Sequence, residues 1–181
     1  MNYDPIKSIQ ASAVILKGHA GRISKLRLLK LLYIADRESI AETLSPLIAD
    51  RVVAMDNGPV LSRTYDILKG EDFESPLWDR FIAKEGPRDL SLLEDPGVGR
   101  LSKYEIQKLN QVSERHWFDD DFEIVELTHL FDEWKRNKPS PRSSNPIPME
   151  HILQALGISD QADRLKAEAQ QEAELDQLFK R

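Results

Sequence analysis

The side chains best suited to move protons or hold a metal near neutral pH are four histidines, His19, His116, His129 and His151. No two of them stand three or four residues apart, so the sequence contains no H-x-x-x-H face of a helix. A metal or catalytic site gathered from distant residues stays open. For His129, within Leu-Thr-His-Leu, the plainer reading is a structural ring hydrogen-bonded inside its helical region. Asp119-Asp120-Asp121 supplies carboxylates. Magnesium takes only one or two placed carboxylates, and three in succession point in different directions. The stronger reading of the triplet is the start of a helix, where negative charge complements the helix dipole. Gly97-Val98-Gly99 is a fragment of a phosphate loop that neither G-x-G-x-x-G nor G-x-x-x-x-G-K-[ST] completes, and it reads as a turn. No G-x-S-x-G elbow marks a nucleophilic serine. A Ser-His-Asp set built from distant residues stays open, because such triads are defined by geometry. The chain has no cysteine, which removes thiolate nucleophiles, disulfides and Cys-ligated zinc together. The expectation is therefore no enzyme, no cofactor and no metal.

The elements that would position any functional group are mostly helical. Asp4-Pro5 is a helix start, an N-cap acceptor followed by a proline whose missing N–H costs nothing there. Ile6, Ile9, Ala13, Leu16 and Ala20 then form one narrow apolar stripe. Ser24 caps a second helix through about Glu42, apolar nearly all round from Leu26 to Ala35, which predicts a central position. Asp50 to Met55 is β-prone, and Asp56-Asn57-Gly58-Pro59 ends it with turn chemistry. Ser62 caps a short helix that carries Tyr65, Ile67 and Leu68 and ends at Gly70. Glu71 to Pro76 reads as a loop. Trp78–Glu85 and Arg88–Glu94 read as a hairpin about Gly86-Pro87.

In the second half, Ser102 and Glu105 form a capping box. Their helix turns Ile106, Leu109 and Val112 inward. The helix after the aspartates has Phe122, Val125, Leu127 and Leu130 as its apolar positions, with Trp134 close behind. Residues 135–148 read as a surface linker. A short helix follows, from Pro148 to Gly157, and a long one runs from Ser159 to about Phe179. The fold class expected is α+β, a mainly α-helical single domain with a small β-sheet made of strand 50–55 and the hairpin. Its extent is residues 1–157, with 158–181 as an added C-terminal helix that could dock in a partner's groove.

With 181 residues the chain is long enough to bury a core of its own. Its formal charge of −6, from 25 basic and 31 acidic side chains, disfavours nucleic acid as a partner. Local basic clusters, Lys17, Arg22, Lys25, Arg27 and Lys30, then Lys135, Arg136, Lys138 and Arg142, look like solvated faces. No apolar run approaches the ~18 residues a membrane helix needs. The polar start, Met-Asn-Tyr-Asp-Pro, is unlike a secretory signal, so a cytoplasmic location is expected.

One arrangement is more specific. Lys30-Leu31-Leu32-Tyr33-Ile34-Ala35-Asp36-Arg37 is followed by Asp50-Arg51-Val52-Val53-Ala54-Met55, by Gly58-Pro59-Val60 and by Ser62-Arg63-Thr64-Tyr65-Asp66. Together with the later Glu126-Leu127-Thr128-His129 and Trp134, this order resembles the Panacea domain, the SocA-like antitoxin domain also called phage-associated GepA-like. The likeness runs over about residues 5 to 156. It departs at His116-Trp117-Phe118, where a Tyr-Gly-type turn would be expected, and in the helix after Ser159. The resemblance implies the antitoxin of a type II toxin–antitoxin pair, which neutralises the toxin of a neighbouring gene by direct binding. Alternatives are an adaptor that delivers its toxin to a protease, a DNA-binding regulator, or, last, an enzyme with a spatially assembled site. Candidate partner-binding residues are Lys30, Tyr33, Asp36 and Arg37, spaced to reach one surface; Met55, Gly58, Pro59 and Tyr65; and the aromatic Trp117, Phe118 and Trp134. The competing account is an internal ion pair of Asp36 or Asp50 with Arg51.

Overall fold

The computed structural model describes residues 3–164. Helix α1 (Pro5–Gly18) begins as its sequence dictates, with the Asp4 carboxylate accepting from the Lys7 amide at 3.2 Å. A three-residue strand, β1 (Arg22–Ser24), leads into α2 (Lys25–Thr43), whose N-cap is Ser24. Strands β2 (Val52–Met55) and β3 (Gly58–Leu61) form a hairpin, and α3 (Ser62–Lys69) follows without a break. Next come α4 (Ser75–Phe81) and a second hairpin, β4 (Ile82–Glu85) and β5 (Asp89–Leu92). The second half holds α5 (Lys103–Arg115), α6 (Asp121–His129), α7 (Asp132–Arg136), the two-residue strand β6 (Asn145–Pro146) and α8 (Met149–Leu156). Residues 159–164 are helical. The rest of the expected C-terminal helix, 165–181, lies outside the described residues.

The fold is α+β and mainly helical. Two small antiparallel sheets flank the helices, one ordered β1-β5-β4 and the other β3-β2-β6. The expected single sheet is thus two, because each hairpin recruits its own third strand. Helix α2 is central: Leu28 to Asp36 are all buried, and α1, α5, α6 and β3 pack around it.

Several local expectations change. Helix α1 is buried on every side from Ser8 to Leu16, not along one stripe. Its interior polar groups are satisfied: Ser12 Oγ donates to Ser8 O at 2.9 Å, and Gln10 spans the backbone of Pro96 and Arg100. Trp78 lies in a helix, not a strand. Ser75-Pro76 starts that helix, Ser75 Oγ donating to Ile67 O at 3.0 Å, and Trp78 turns into the core at 1% exposure. Gly58-Pro59 opens β3, so the turn proper is Asp56-Asn57. Helix α3 takes no cap from Ser62. The Asp50 carboxylate accepts from the Arg63 and Thr64 amides, at 3.1 and 2.8 Å, and so caps it across the chain.

Candidate functional site

The framework around α2 is held by polar groups that the interior would otherwise penalise. The Tyr33 hydroxyl donates to Glu133 Oε1 at 2.7 Å, and Arg37 Nε reaches the same oxygen at 2.6 Å with Nη2 on Oε2 at 3.3 Å. The Arg37 guanidinium also lies over the Phe131 ring, 4.2 Å from its centre. Burial, reinforced by the Glu133 charge, holds the Tyr33 hydroxyl well above its ordinary pKa. One turn on, the Asp36 carboxylate accepts from the Ile48 amide at 2.7 Å; burial raises its pKa to about 7 despite that bond. Tyr33, Asp36 and Arg37 are therefore internal braces, and Asp36 and Arg37 have separate partners rather than one shared surface.

Lys30 differs. Its side chain is 1% exposed, and its ammonium donates to the Pro59 carbonyl at 2.7 Å. Burial pushes its pKa down to about 7. The hairpin tip folds over it: Gly58, at φ +93°, would place an added Cβ 2.4 Å from Thr128 Oγ1 and 3.1 Å from Lys30 Nζ. Beside this contact lies a chamber of about 230 Å³, with Leu26, Leu29, Lys30, Met55, Tyr65 and Arg142 among its walls.

Leu26, Leu29, Asn57 and Tyr65 also line a larger groove of about 710 Å³, so the two adjoin. One wall of the groove is the first turn of α2 with Pro87 and Arg88 of the β4–β5 turn, joined where the Lys25 amide donates to Arg88 O at 2.7 Å. The other wall is α6, through Asp121, Phe122, Val125, Glu126 and His129. The lining is mainly apolar, with Lys25 and Arg88 on one side and Asp121 and Glu126 on the other. Phe122, expected to point inward, is 70% exposed. Helix α6 instead buries Ile124, Val125 and Thr128, because its N-terminus is fixed by the Asp120–Glu123 capping box and that sets its rotation. Two of the three aspartates are engaged here, Asp120 as the cap and Asp119 on the His116 ring nitrogen at 2.6 Å, while Asp121 lines the groove.

The aromatic candidates separate. Trp134 is buried, its indole N–H donating to Met55 O at 3.0 Å and its ring stacked on His129 with centres 4.0 Å apart. The pair fastens α7 and α6 to the hairpin tip, since the His129 ring nitrogen also lies 3.1 Å from Asp56 O. Trp117 and Phe118 sit in the α5–α6 loop, 43% and 94% exposed. Arg27 pins that loop by donating to the carbonyls of His116, Trp117 and Asp119. The basic cluster of residues 17–30 does not form one face: Lys17 pairs with Asp95 and Arg22 with Asp89, while Lys30 is interior. Among the described residues, no group of three or more His, Asp or Glu side chains could hold a metal, and no helix is long and apolar enough to cross a membrane.

Sequence reasoning missed Glu133, Asp50, Thr128 and the groove wall on α6. The usable signal was the charge of Glu133 between Phe131 and Trp134, since a carboxylate buried among aromatic residues needs a polar or cationic partner.

The site is thus a buried helical framework with a mainly apolar groove at its surface. The family described as "Antitoxin SocA-like, Panacea domain" matches residues 28–135. The chain belongs to that family, and membership supports an antitoxin role in general terms. No curated protein and no solved structure matches.

Proposed function

We propose that this chain is the antitoxin of a type II pair: it binds the toxin made by a neighbouring gene directly, in the cytoplasm, and masks it. The observation that carries the reading is the groove between α2 and α6, most of whose lining falls inside the family-matched segment 28–135. An apolar floor, an exposed aromatic at the lip and a charged rim are what a protein contact uses, because buried apolar anchors supply affinity and the rim supplies register. The role is binding, not turnover. The ionisable groups nearest the framework, Asp36, Arg37 and Glu133, are committed to internal bonds rather than turned toward a substrate. The test is to express the adjacent gene with and without this one. Growth arrest by the neighbour alone, relieved on co-expression with recovery of a stable complex, supports the proposal. A harmless neighbour, or toxicity unchanged by co-expression, overturns it.

A further inference from the structure

Resting on that reading, we infer that Lys30 is the receptor for a carboxylate side chain carried on an apolar segment of the toxin, which lies in the α2–α6 groove and reaches into the chamber beside the hairpin tip. Three observations carry this. First, Lys30 is a buried amine whose hydrogen-bond partner is a backbone carbonyl. An ammonium offers three donors, and the hydrogen bond at Nζ goes to Pro59 O. Among the described residues no carboxylate pairs with it, and burial is the cause of its shifted titration. Buried charges are normally paired, and an apolar side chain of similar length would pack at the same place with less penalty. In the free domain the lysine's return is one hydrogen bond to a neutral carbonyl, without an ion pair.

Second, Lys30 is buried at the edge of an open space rather than deep in the core. It lines the chamber of about 230 Å³, far above the ~30 Å³ share of one liquid water. The chamber shares walls with the groove at Leu26, Leu29, Asn57 and Tyr65. Third, the chamber is cationic in balance. Arg142 is a second basic wall, and the Asp56 carboxylate, the acid among its walls, already accepts from the Arg142 amide at 2.8 Å. A carboxylate is the incoming group that complements this balance. The apolar groove beside it fits the flanking apolar side chains of a protein segment rather than a free anion.

The experiment titrates Lys30 in the full chain by NMR of its labelled side-chain carbon, alone, with the neighbouring gene's product, and with sodium acetate. The affinity of wild type and Lys30→Met for the same toxin is measured in parallel. The inference predicts a rise of at least one unit in the Lys30 pKa on toxin binding, and no such rise with acetate. It also predicts at least tenfold weaker toxin binding by Lys30→Met, whose melting temperature equals or exceeds that of wild type. A structural lysine would behave oppositely, lowering the melting temperature and sparing affinity. An unmoved Lys30 pKa in the complex, unchanged affinity in the variant, or an equal response to acetate overturns the inference. If Lys30→Met does not fold, the wild-type titration decides alone. A wild-type chain that fails to bind the toxin removes the functional reading itself and this inference with it. Tight wild-type binding indifferent to Lys30 removes only the inference.

Discussion

Replacing Gly58 with alanine tests whether the hairpin tip, α6 and Lys30 form one packed unit. The backbone at Gly58 has φ +93°, a region side chains rarely occupy, and holding alanine there costs about 1–3 kcal/mol. The new methyl would sit 2.4 Å from Thr128 Oγ1, well inside contact distance, and 3.1 Å from Lys30 Nζ. Neither neighbour gives easily. Thr128 is fully buried with its hydroxyl donating to Val125 O at 2.8 Å, and Lys30 is held on Pro59 O. Displacing the threonine forfeits that hydrogen bond, about 1 kcal/mol more. Gly58→Ala should therefore destabilise the domain by about 2–4 kcal/mol. Thr128→Ala alone should cost about 1–2 kcal/mol, the lost bond and a small void. In the double variant the clash with the hydroxyl is gone, so the two costs should fall short of their sum by at least about 1 kcal/mol. Urea denaturation at 25 °C, with all four proteins of the cycle, reads this directly. Additive costs within about 0.5 kcal/mol, or a Gly58→Ala variant as stable as wild type, would refute the packing described here.

Glu133→Ala leaves the Tyr33 hydroxyl and the Arg37 guanidinium without their shared acceptor in a largely buried site, so it should cost about 3–5 kcal/mol by the same denaturation assay. Asp36 titrates near 7 in the folded chain against an ordinary value of 3.8. The unfolded chain thus releases that proton first, and the contribution of Asp36 to stability falls as pH rises from about 4 to about 7, then levels off. Asp36→Asn, whose side-chain oxygen can still accept from Ile48, should flatten that slope in a pH series of melting curves and match or exceed wild-type stability at pH 7. Asp50→Ala removes the acceptor for the Arg63 and Thr64 amides and should cost about 1–2 kcal/mol, with faster amide exchange confined to the first turn of α3.

What could be read from the sequence was set by local chemistry. Asp4-Pro5, Ser24, the Ser102–Glu105 box and Gly157 all sit at the helix ends they signal, because a cap is decided within four residues. The unbroken apolar run of α2 announced its burial. Choices made by distant partners were not legible. Strand β1 is three residues long and exists only because Arg22, Ile23 and Ser24 pair with Ser91, Leu90 and Asp89 of the distant β5. Ser62 has the right type for a cap, yet Asp50 takes the post because the β2–β3 hairpin brings it there. The candidate residues on α2 were chosen by helical spacing, which places side chains on a face but does not say whether that face meets water. Here it meets Glu133, the 47–48 backbone and Pro59. The groove is assembled from α2, the β4–β5 turn and α6, segments far apart in sequence, and only Phe122 marks it from outside.

The most direct test of the central claim, direct toxin binding through the α2–α6 groove, is calorimetric titration of the neighbouring gene's product with wild type and with Phe122→Asp. Phe122 is exposed, so its loss should leave the melting temperature unchanged. The account predicts saturable binding by wild type and roughly 30-fold or greater weakening in the variant, the effect of an interface anchor worth about 2 kcal/mol or more. Equal affinity of the two proteins, or toxin neutralisation in cells by a chain that shows no binding heat or complex, would contradict it.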